Sequence, residues 1–479
     1  FISSTPKVEI NTMGKFICFL LAALATATVV SSTDYPTPNP TYEASAYTTW
    51  DDKTVANSKK AKIYVPFTAE DGSEDMISIY RLDLVGNDYE RGYAHGYLMA
   101  KEIVEFQGPQ LDKYFMQMVL DIDISGFPEP LQAILRVIQV KGAIAAPGAF
   151  KKAMAWVWET EESYSPQYIK DEMIGMGVGM CDSLRTPGCN ATEWSQRIAE
   201  LNMLPELIRM ACTAYGAWGK ATAGNSLIQM RALDFGGGPF ANYTVAAVYR
   251  DAVVTDDSNA FVSITFPGFA GVITGVSERG IGVSEKVWMT YDTPDLQPGS
   301  YNGESDVFVL RDILQLSKNR ADAEQMVQAA NRTWAIFIGI GDYETNVLDL
   351  IGYKQDSATV YTDVTMPSVT GQPYLESVCY VDKHPQPSGE GPNGTLPTAL
   401  ADFYGNISLE TSKTITQYHK TGDLHIASYD YSAKNMNLAV GRINHEGQYQ
   451  PTGGSDSSVW KAYNRPYLKF SLPDLWTGK

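Results

Sequence analysis

The run Ala211-Cys212-Thr213-Ala214-Tyr215-Gly216-Ala217-Trp218-Gly219, followed after Ala223-Gly224-Asn225 by Ser226-Leu227-Ile228-Gln229-Met230-Arg231-Ala232-Leu233-Asp234-Phe235-Gly236, decides how the rest of the chain is read. Two β-like runs on either side of a Gly-Asn turn signal read as strands joined in a hairpin. The thiol stands at the start of the first strand. An arginine and an aspartate follow it by nineteen and twenty-two residues, three apart on the second strand. A thiol at a strand end, with a cation and a carboxylate across the hairpin, is a combination suited to a nucleophile. A disulfide to Cys379 and a buried inert thiol are the competing uses of Cys212.

The chain has 479 residues, 44% of them hydrophobic. That is enough to build a large core without help from metals. With 55 acidic against 37 basic residues the formal charge is −18, which repels phosphates and argues against a nucleic-acid partner. There is no His-Glu-x-x-His, no Cys-x-x-Cys, no phosphate-cradling Gly-x-x-x-x-Gly-Lys-Ser/Thr and no Gly-x-Ser-x-Gly, so neither a metal nor a cofactor is expected. Five histidines stand at 95, 384, 419, 425 and 445. The local papain signature is absent around Cys212, and a Cys212–His425 pair is open but unsupported by the sequence.

Met13-Gly14-Lys15, the apolar run Phe16–Val30 and Ser31-Ser32 read as a signal peptide over 13–32, with 1–12 as a leader before the start methionine. An N-terminal anchor is the alternative. Sequons at Asn190, Asn242, Asn331, Asn393 and Asn406 fit a glycoprotein that is secreted or held in a lysosomal or endosomal lumen. Cys181 and Cys189 bracket a Pro-Gly loop suited to a small disulfide.

Along the chain, Thr33–Asn57 has no period and reads as a flexible or loosely docked leader. Ile63–Phe67 and Met76–Leu84 alternate as strands do, and Tyr89–Phe106 runs at helical spacing. From Leu111 to Trp158 apolar helix dominates, and its mixture of aromatic and basic residues, Arg136, Lys141, Lys151 and Lys152 among them, suits either core helices or a lipid-surface contact. Helical patterns lead into Cys212, and strand candidates follow it. Val307–Leu316 and Ala321–Ala330 return to helix, and a closing hairpin is expected over His425–Asp430 and Met436–Gly441. Runs of strands flanked by runs of helices indicate an α+β layered sandwich.

A thiol can work without histidine if the Ala211–Cys212 bond is cut. Cys212 then carries an α-amine of pKa about 7.7–8.0, which can take the thiol's proton. At these residues the chain resembles the cysteine N-terminal-nucleophile hydrolases: choloylglycine hydrolases, acid ceramidases and penicillin acyltransferases. Cys212-Thr213, the Gly-Asn turn and Arg231-Ala232-Leu233-Asp234 carry the resemblance. Gly86-Asn87-Asp88-Tyr89-Glu90-Arg91-Gly92-Tyr93-Ala94-His95-Gly96, Gly271–Val283, Phe337–Gly341 and the hairpin around Asp430 extend it over roughly 80 to 445. Ser284-Glu285-Lys286-Val287-Trp288 looks most like the acid-ceramidase-like proteins.

The resemblance implies a four-layer αββα sandwich, made as a precursor and cut into an α chain, Thr33–Ala211, and a β chain, Cys212–Lys479. Within it, 33–75 would be an extension, 76–211 the helical α-chain part, 212–445 the core and 446–479 a tail. It implies Cys212 as nucleophile, Asp234 holding the α-amine and Arg231 favouring thiolate. Where family members place oxyanion-stabilising asparagines this chain carries Asp342 and Glu285, which are the remaining candidates. The implied activity is hydrolysis of linear amide bonds in a small N-acyl, lipid-type substrate. Acyl transfer through the same thioester, and a catalytically inactive binding glycoprotein, are the alternatives.

Overall fold

The computed structural model describes residues 33–69, 72–108, 111, 114, 119–120, 124–125, 127–141, 148–207, 211–235, 238–250, 258–288, 301–383, 394–443 and 459–478. The leader and signal segments, Asn393, His384 and His445 fall outside them. By internal contacts the chain divides into Phe1–Pro36 and a second unit, Thr37–Lys479, which carries every element named below.

In chain order the strands are β1 (Thr41–Glu43), β2 (Thr48–Val55), β3 (Ser58–Thr68), β4 (Glu74–Val85), β5 (Ala211–Gly219), β6 (Asn225–Asp234), β7 (Val245–Arg250), β8 (Phe261–Thr265), β9 (Thr274–Ser277) and β10 (Ile281–Val287). They continue with β11 (Ile336–Asp342), β12 (Val347–Lys354), β13 (Ser357–Tyr361), β14 (Val378–Val381), β15 (His425–Asp430), β16 (Asn435–Val440), β17 (Arg442–Ile443), β18 (Val459–Trp460) and β19 (Tyr467–Ser471). The helices are α1 (Asp88–Leu98), α2 (Ala100–Phe106), α3 (Glu129–Lys141), α4 (Ala149–Glu161), α5 (Gln167–Leu184), α6 (Ala191–Asn202) and α7 (Leu204–Leu207) before Cys212. After it come α8 (Asp306–Leu316), α9 (Arg320–Ala329), α10 (Pro367–Thr370), α11 (Thr395–Asp402), α12 (Leu409–His419) and α13 (Leu472–Thr477).

A seven-stranded sheet runs β1-β19-β16-β15-β6-β5-β14, and a ten-stranded sheet runs β13-β12-β11-β10-β9-β8-β7-β4-β3-β2. Pairing within them is antiparallel except for β1 with β19 and β4 with β7. The sheets face each other across a core in which Ile63, Val65 and Phe337 of the larger meet Ala214, Ala427 and Leu438 of the smaller. On the other face of the larger sheet, Leu84, Val283 and Ile338 pack under Ile103, Met173 and Leu310 of the helices. On the outer face of the smaller sheet α12 is tied to β5 by the Tyr215 hydroxyl, 2.6 Å from Ser412 Oγ. These are the four layers, αββα, that the sequence implies. Because both faces of β5 and β6 are covered, the two strands are buried almost end to end, which explains their lack of hydrophobic alternation.

Several expectations are corrected. Of the two readings of Thr33–Asn57 the docked one holds, and more firmly than expected: Thr41–Glu43 and Thr48–Val55 are edge strands. Backbone pairing with β19 and β3 holds them, so their polar side chains need no period. The segment expected as a tail supplies β18 and β19, and β19 sits between β1 and β16 inside the smaller sheet. The helix expected over Tyr89–Phe106 breaks at Met99, whose φ of −111° and ψ of 14° are not helical. In α3 the apolar stripe Leu131, Leu135 and Ile138 is buried while Arg136 and Val140 are exposed, the pattern of a helix laid on a core.

The helix pair α1 and α5 shows why the glycines at 92 and 96 recur every turn. A Cβ on Gly92 would lie 1.9 Å from the carbonyl oxygen of Glu172, and one on Gly96 would lie 2.0 Å from that of Met176. Gly179 returns the fit, since its Cβ would meet the Tyr93 carbonyl at 2.0 Å. Only backbones without side chains approach so closely, and here backbone cannot give way. Gly96→Ala is expected to cost at least about 2 kcal/mol, the upper part of the usual overpacking range. Denaturant unfolding measures it, and an unchanged midpoint would refute the close-packed crossing.

Candidate active site

Cys212 is the second residue of β5, with Leu233 as its register partner on β6. Pleating puts Cys212, Ala214, Leu233 and Arg231 on the face that looks toward the other sheet. The Arg231 guanidinium, fully buried, reaches five groups. Its Nη2 donates to Cys212 Sγ at 3.1 Å and to Glu285 Oε2 at 3.0 Å. Its Nη1 donates to Thr274 Oγ1 at 2.9 Å and to His425 Nε2 at 3.1 Å, and its Nε donates to the Glu285 carbonyl at 3.2 Å. The Glu285 carboxyl lies 4.0 Å from the Cys212 sulfur, within reach of a weak S–H hydrogen bond.

Burial dominates the electrostatics. It pushes the Cys212 thiol up to about 12, against the pull of Arg231, so the thiol of the uncut chain is protonated at neutral pH. Burial also raises the Glu285 carboxyl, with Arg231 opposing. Burial holds the His425 ring well below its ordinary range, Arg231 adding to the effect. His425 is therefore a neutral acceptor for the guanidinium rather than a partner of Cys212.

Asp234 ends β6 opposite Ala211, the residue before Cys212. Its carboxylate faces the outer side of the sheet. There it accepts from the Gly422 N–H at 2.8 Å and from the Thr421 hydroxyl, and meets Lys383 Nζ at 3.5 Å. Thr421 also bonds Thr213 across 2.8 Å, which ties the residue after the nucleophile to the same carboxylate.

Cys212, Arg231, Asp234 and Glu285 are thus brought together, and Asp342 is not. Asp342 ends β11, where its carboxylate accepts the backbone N–H of Glu344 at 2.8 Å and that of Arg320 at 3.3 Å. Four positions separate it from Ile338, the register partner of Glu285, or about 13 Å of strand. It closes a turn because a short acceptor suits a hairpin end. Cys181 and Cys189 form the expected disulfide, and Cys379 is a buried free thiol on β14. Asn190, Asn331 and Asn406 are exposed, whereas Asn242 is half-buried and accepts the Ile443 N–H at 3.2 Å.

Sequence reasoning gave no role to Lys286, a fully buried lysine next to Glu285 in β10. It also passed over an apolar cavity of about 20 Å³ lined by Leu233, Phe235, Phe240, Phe266 and Leu424, with Leu204 and Pro205 from the segment preceding Cys212 also in its wall. A lysine in a strand buried along its whole length was the available signal for the first. The second depends on residues far apart in the chain and had none.

The architecture is an αββα sandwich whose central hairpin carries a thiol, a guanidinium and a carboxylate, as the resemblance to the cysteine N-terminal-nucleophile hydrolases implies. No protein-family model matches the chain. It is 30% identical over 431 residues to protein dcd1B of Dictyostelium discoideum, covering 88% of this chain and 79% of that one. To dcd1A of the same organism it is 28% identical over 412 residues, 83% of this chain and 86% of the relative. The chain belongs to the family of these dcd1 proteins. Among solved structures it is similar to a Caenorhabditis elegans N-acylethanolamine-hydrolyzing acid amidase ortholog, at 13% identity and a TM-score of 0.34 over 52% of this chain and 99% of that one. It is also similar to penicillin V acylase from Agrobacterium tumefaciens, at 9% identity and 0.35 over 56% and 89%.

Two expectations follow. Arg231→Met strands the buried Glu285 carboxyl and should cost about 3–5 kcal/mol in denaturant unfolding, while adding Glu285→Leu should recover most of the loss. Equal losses in the single and double variants would show that the guanidinium does not hold the carboxyl. The second concerns α7, whose Glu206 accepts from Ser305 Oγ, the Asp306 N–H and Thr333 Oγ1 at 2.8–3.1 Å. Around it, burial raises Glu304 to about 8 and Glu161 and Asp306 well above the carboxylate range. Acids raised in the folded state stabilise below their unfolded pKa and lose that stability as pH climbs through the folded one. Tm should fall as pH rises from about 5 through about 8, and fall less in Glu304→Gln. An identical pH profile in the variant would remove Glu304 from the account.

Proposed function

We propose that the protein is a cysteine amidohydrolase that matures by cleavage before Cys212 and hydrolyses linear amide bonds of small N-acyl substrates, in a secreted or lysosomal setting. The observation that carries this reading is the guanidinium of Arg231 at 3.1 Å from the Cys212 sulfur, at the start of a strand whose preceding residue faces Asp234.

In the uncut chain Cys212 has no amine, and Glu285 is the carboxyl beside its thiol. Sulfur attack on the Ala211 carbonyl forms a thioester as the Ala211–Cys212 C–N bond breaks and the thiol's proton passes to the departing nitrogen, freeing the α-amine of Cys212; water then hydrolyses the thioester, returning the thiol and leaving Ala211, the register partner of Asp234, with a carboxylate. With an unperturbed pKa of about 7.7–8.0, that amine serves as the base for the thiol. Asp234 orients it, and Arg231 offsets charge on sulfur. Attack on a substrate amide then gives a thioester and releases the amine, and water resolves the thioester. The apolar walls of Leu233, Phe235, Phe240 and Phe266 suit an acyl chain, which requires Leu204 and Pro205 to withdraw after the cut.

The test begins with intact mass and N-terminal sequencing, which should show two chains, one beginning at Cys212. Cys212→Ala should remain a single chain and release no amine from N-acyl amides of increasing chain length, a loss of at least about 10³-fold in turnover. Undiminished amine release by Cys212→Ala would end this reading.

A further inference from the structure

Between β8 and β9 the chain passes through Phe266-Pro267-Gly268-Phe269-Ala270-Gly271-Val272-Ile273, a stretch without helix or strand that is nevertheless buried throughout. Loops normally run over the surface, because a buried one must find partners for its peptide groups. Here the partners are largely side chains. The N–H of Gly268, a residue at a φ of +80°, donates to His95 Nε2 at 3.0 Å, and the Gly268 carbonyl accepts from Asn202 Nδ2 at 3.2 Å. The N–H groups of Ala270 and Gly271 both end on Asn202 Oδ1, at 2.8 and 3.0 Å. Arg311 Nη1 donates to the Ala270 carbonyl at 2.6 Å, while its Nη2 pairs with Glu172 of α5 at 2.7 Å.

His95 stands on α1 and Asn202 closes α6, both fully buried and both upstream of Cys212. Burial pushes the His95 ring down to about 4, so above that pH it is neutral and its Nε2 keeps a lone pair for Gly268. What the two side chains hold is a wall. Phe266 and Phe269 line the apolar cavity together with Leu233, the register partner of Cys212. Phe266 lies against Phe106 and Phe240, with ring centroids 5.8 and 4.9 Å apart. In the reading above Leu204 and Pro205 leave this cavity, whereas Phe266 and Phe269 stay as long as their loop is pinned. The far end of the loop runs to the nucleophile: the Ile273 carbonyl accepts the Glu285 N–H at 3.2 Å, and Thr274 Oγ1 accepts from Arg231 at 2.9 Å. One short segment thus joins the apolar wall to the guanidinium at Cys212.

We propose that His95 and Asn202 are specificity-determining positioning residues, which fix the loop 266–271 as the standing wall of the acyl pocket and so set the length of acyl chain that is accepted. The inference rests on the reading of this cavity as the acyl site of an amidohydrolase. An N–H left without its acceptor in a dry interior carries the whole desolvation penalty, and an irregular loop escapes that penalty by moving. Loss of either clamp therefore shifts the wall. Side chains of the piece upstream of the cut would shape a pocket whose nucleophile belongs to the piece downstream.

The test pairs a substrate-free readout with a kinetic one on the full chain. Amide hydrogen exchange across 266–273 should quicken by about tenfold or more in His95→Leu and in Asn202→Leu. In the same variants the ratio of kcat/KM between long-chain and short-chain N-acyl amides should change by about tenfold or more, carried mainly by KM. Phe269→Ala, which cuts the wall itself, should move the ratio toward long chains. His95→Gln, which keeps an acceptor for the Gly268 N–H, should restore most of the original ratio. Where a leucine variant does not fold, judged by its melting curve, alanine at that position takes its place. Unchanged exchange or an unchanged ratio in the clamp variants overturns the proposal, and so does a ratio that moves equally in His95→Leu and His95→Gln, which points to packing alone. A ratio unmoved by Phe269→Ala removes the wall and the proposal with it. Loss of amine release in Cys212→Ala alongside an unmoved ratio would sink the clamp and spare the nucleophile. A shifted ratio in a protein whose Cys212→Ala variant still turns over would do the reverse.

Discussion

The buried guanidinium of Arg231 is the constraint on which the rest of this structure depends. From one residue of β6 it bonds the sulfur on β5, a hydroxyl on β9, a carboxylate and a carbonyl on β10 and an imidazole on β15. Two of those strands belong to its own sheet and two to the sheet opposite. Planar donors in a rigid fork suit this, whereas a single ammonium could not meet so many acceptors at once. Burial keeps His425 neutral, and the same contact adds to the effect. Glu285 is at the thiol because it answers the arginine.

This hub explains what was legible in the chain and what was not. Cys212, Arg231 and Asp234 lie in one hairpin, where a period of two residues fixes which side chains share a face, so their spacing translates directly into geometry. Glu285 comes from the other sheet, and its proximity to Cys212 was indicated only by resemblance. Asp342 was misplaced for the same reason: a residue ending a strand can serve the site or the turn, and only register decides between them. Lys286 was quoted within a motif and given no role, because the inter-sheet direction of its side chain depends on pairing with Phe337. The layered fold was legible from the order of helices and strands. The edge strands β1 and β2 were not, since backbone pairing rather than composition holds them.

Burial is a cost throughout this site. A thiol raised to about 12, a lysine lowered to about 8 and carboxyls raised near α7 share one cause, the removal of water by covering layers on both sides. A covered strand start keeps the thiol protonated and quiet until something changes around it. The cut before Cys212 would change two things together, by creating an amine and by freeing the chain end that carries Leu204 and Pro205 over the cavity.

The placement of β1 to β4 bears on what such a cut leaves behind. β1 lies in the smaller sheet against β19, while β2, β3 and β4 complete the larger one, joined to the remainder through the parallel pair of β4 and β7. Each sheet is therefore woven from both sides of Cys212. The disulfide lies wholly upstream of it, and among the described residues both free cysteines lie at or after it. The two pieces would share no covalent bond there, yet neither could leave without tearing a strand from each sheet. Their union would be a matter of unfolding kinetics rather than of binding affinity, persistent under dilution and lost only when the sandwich itself opens.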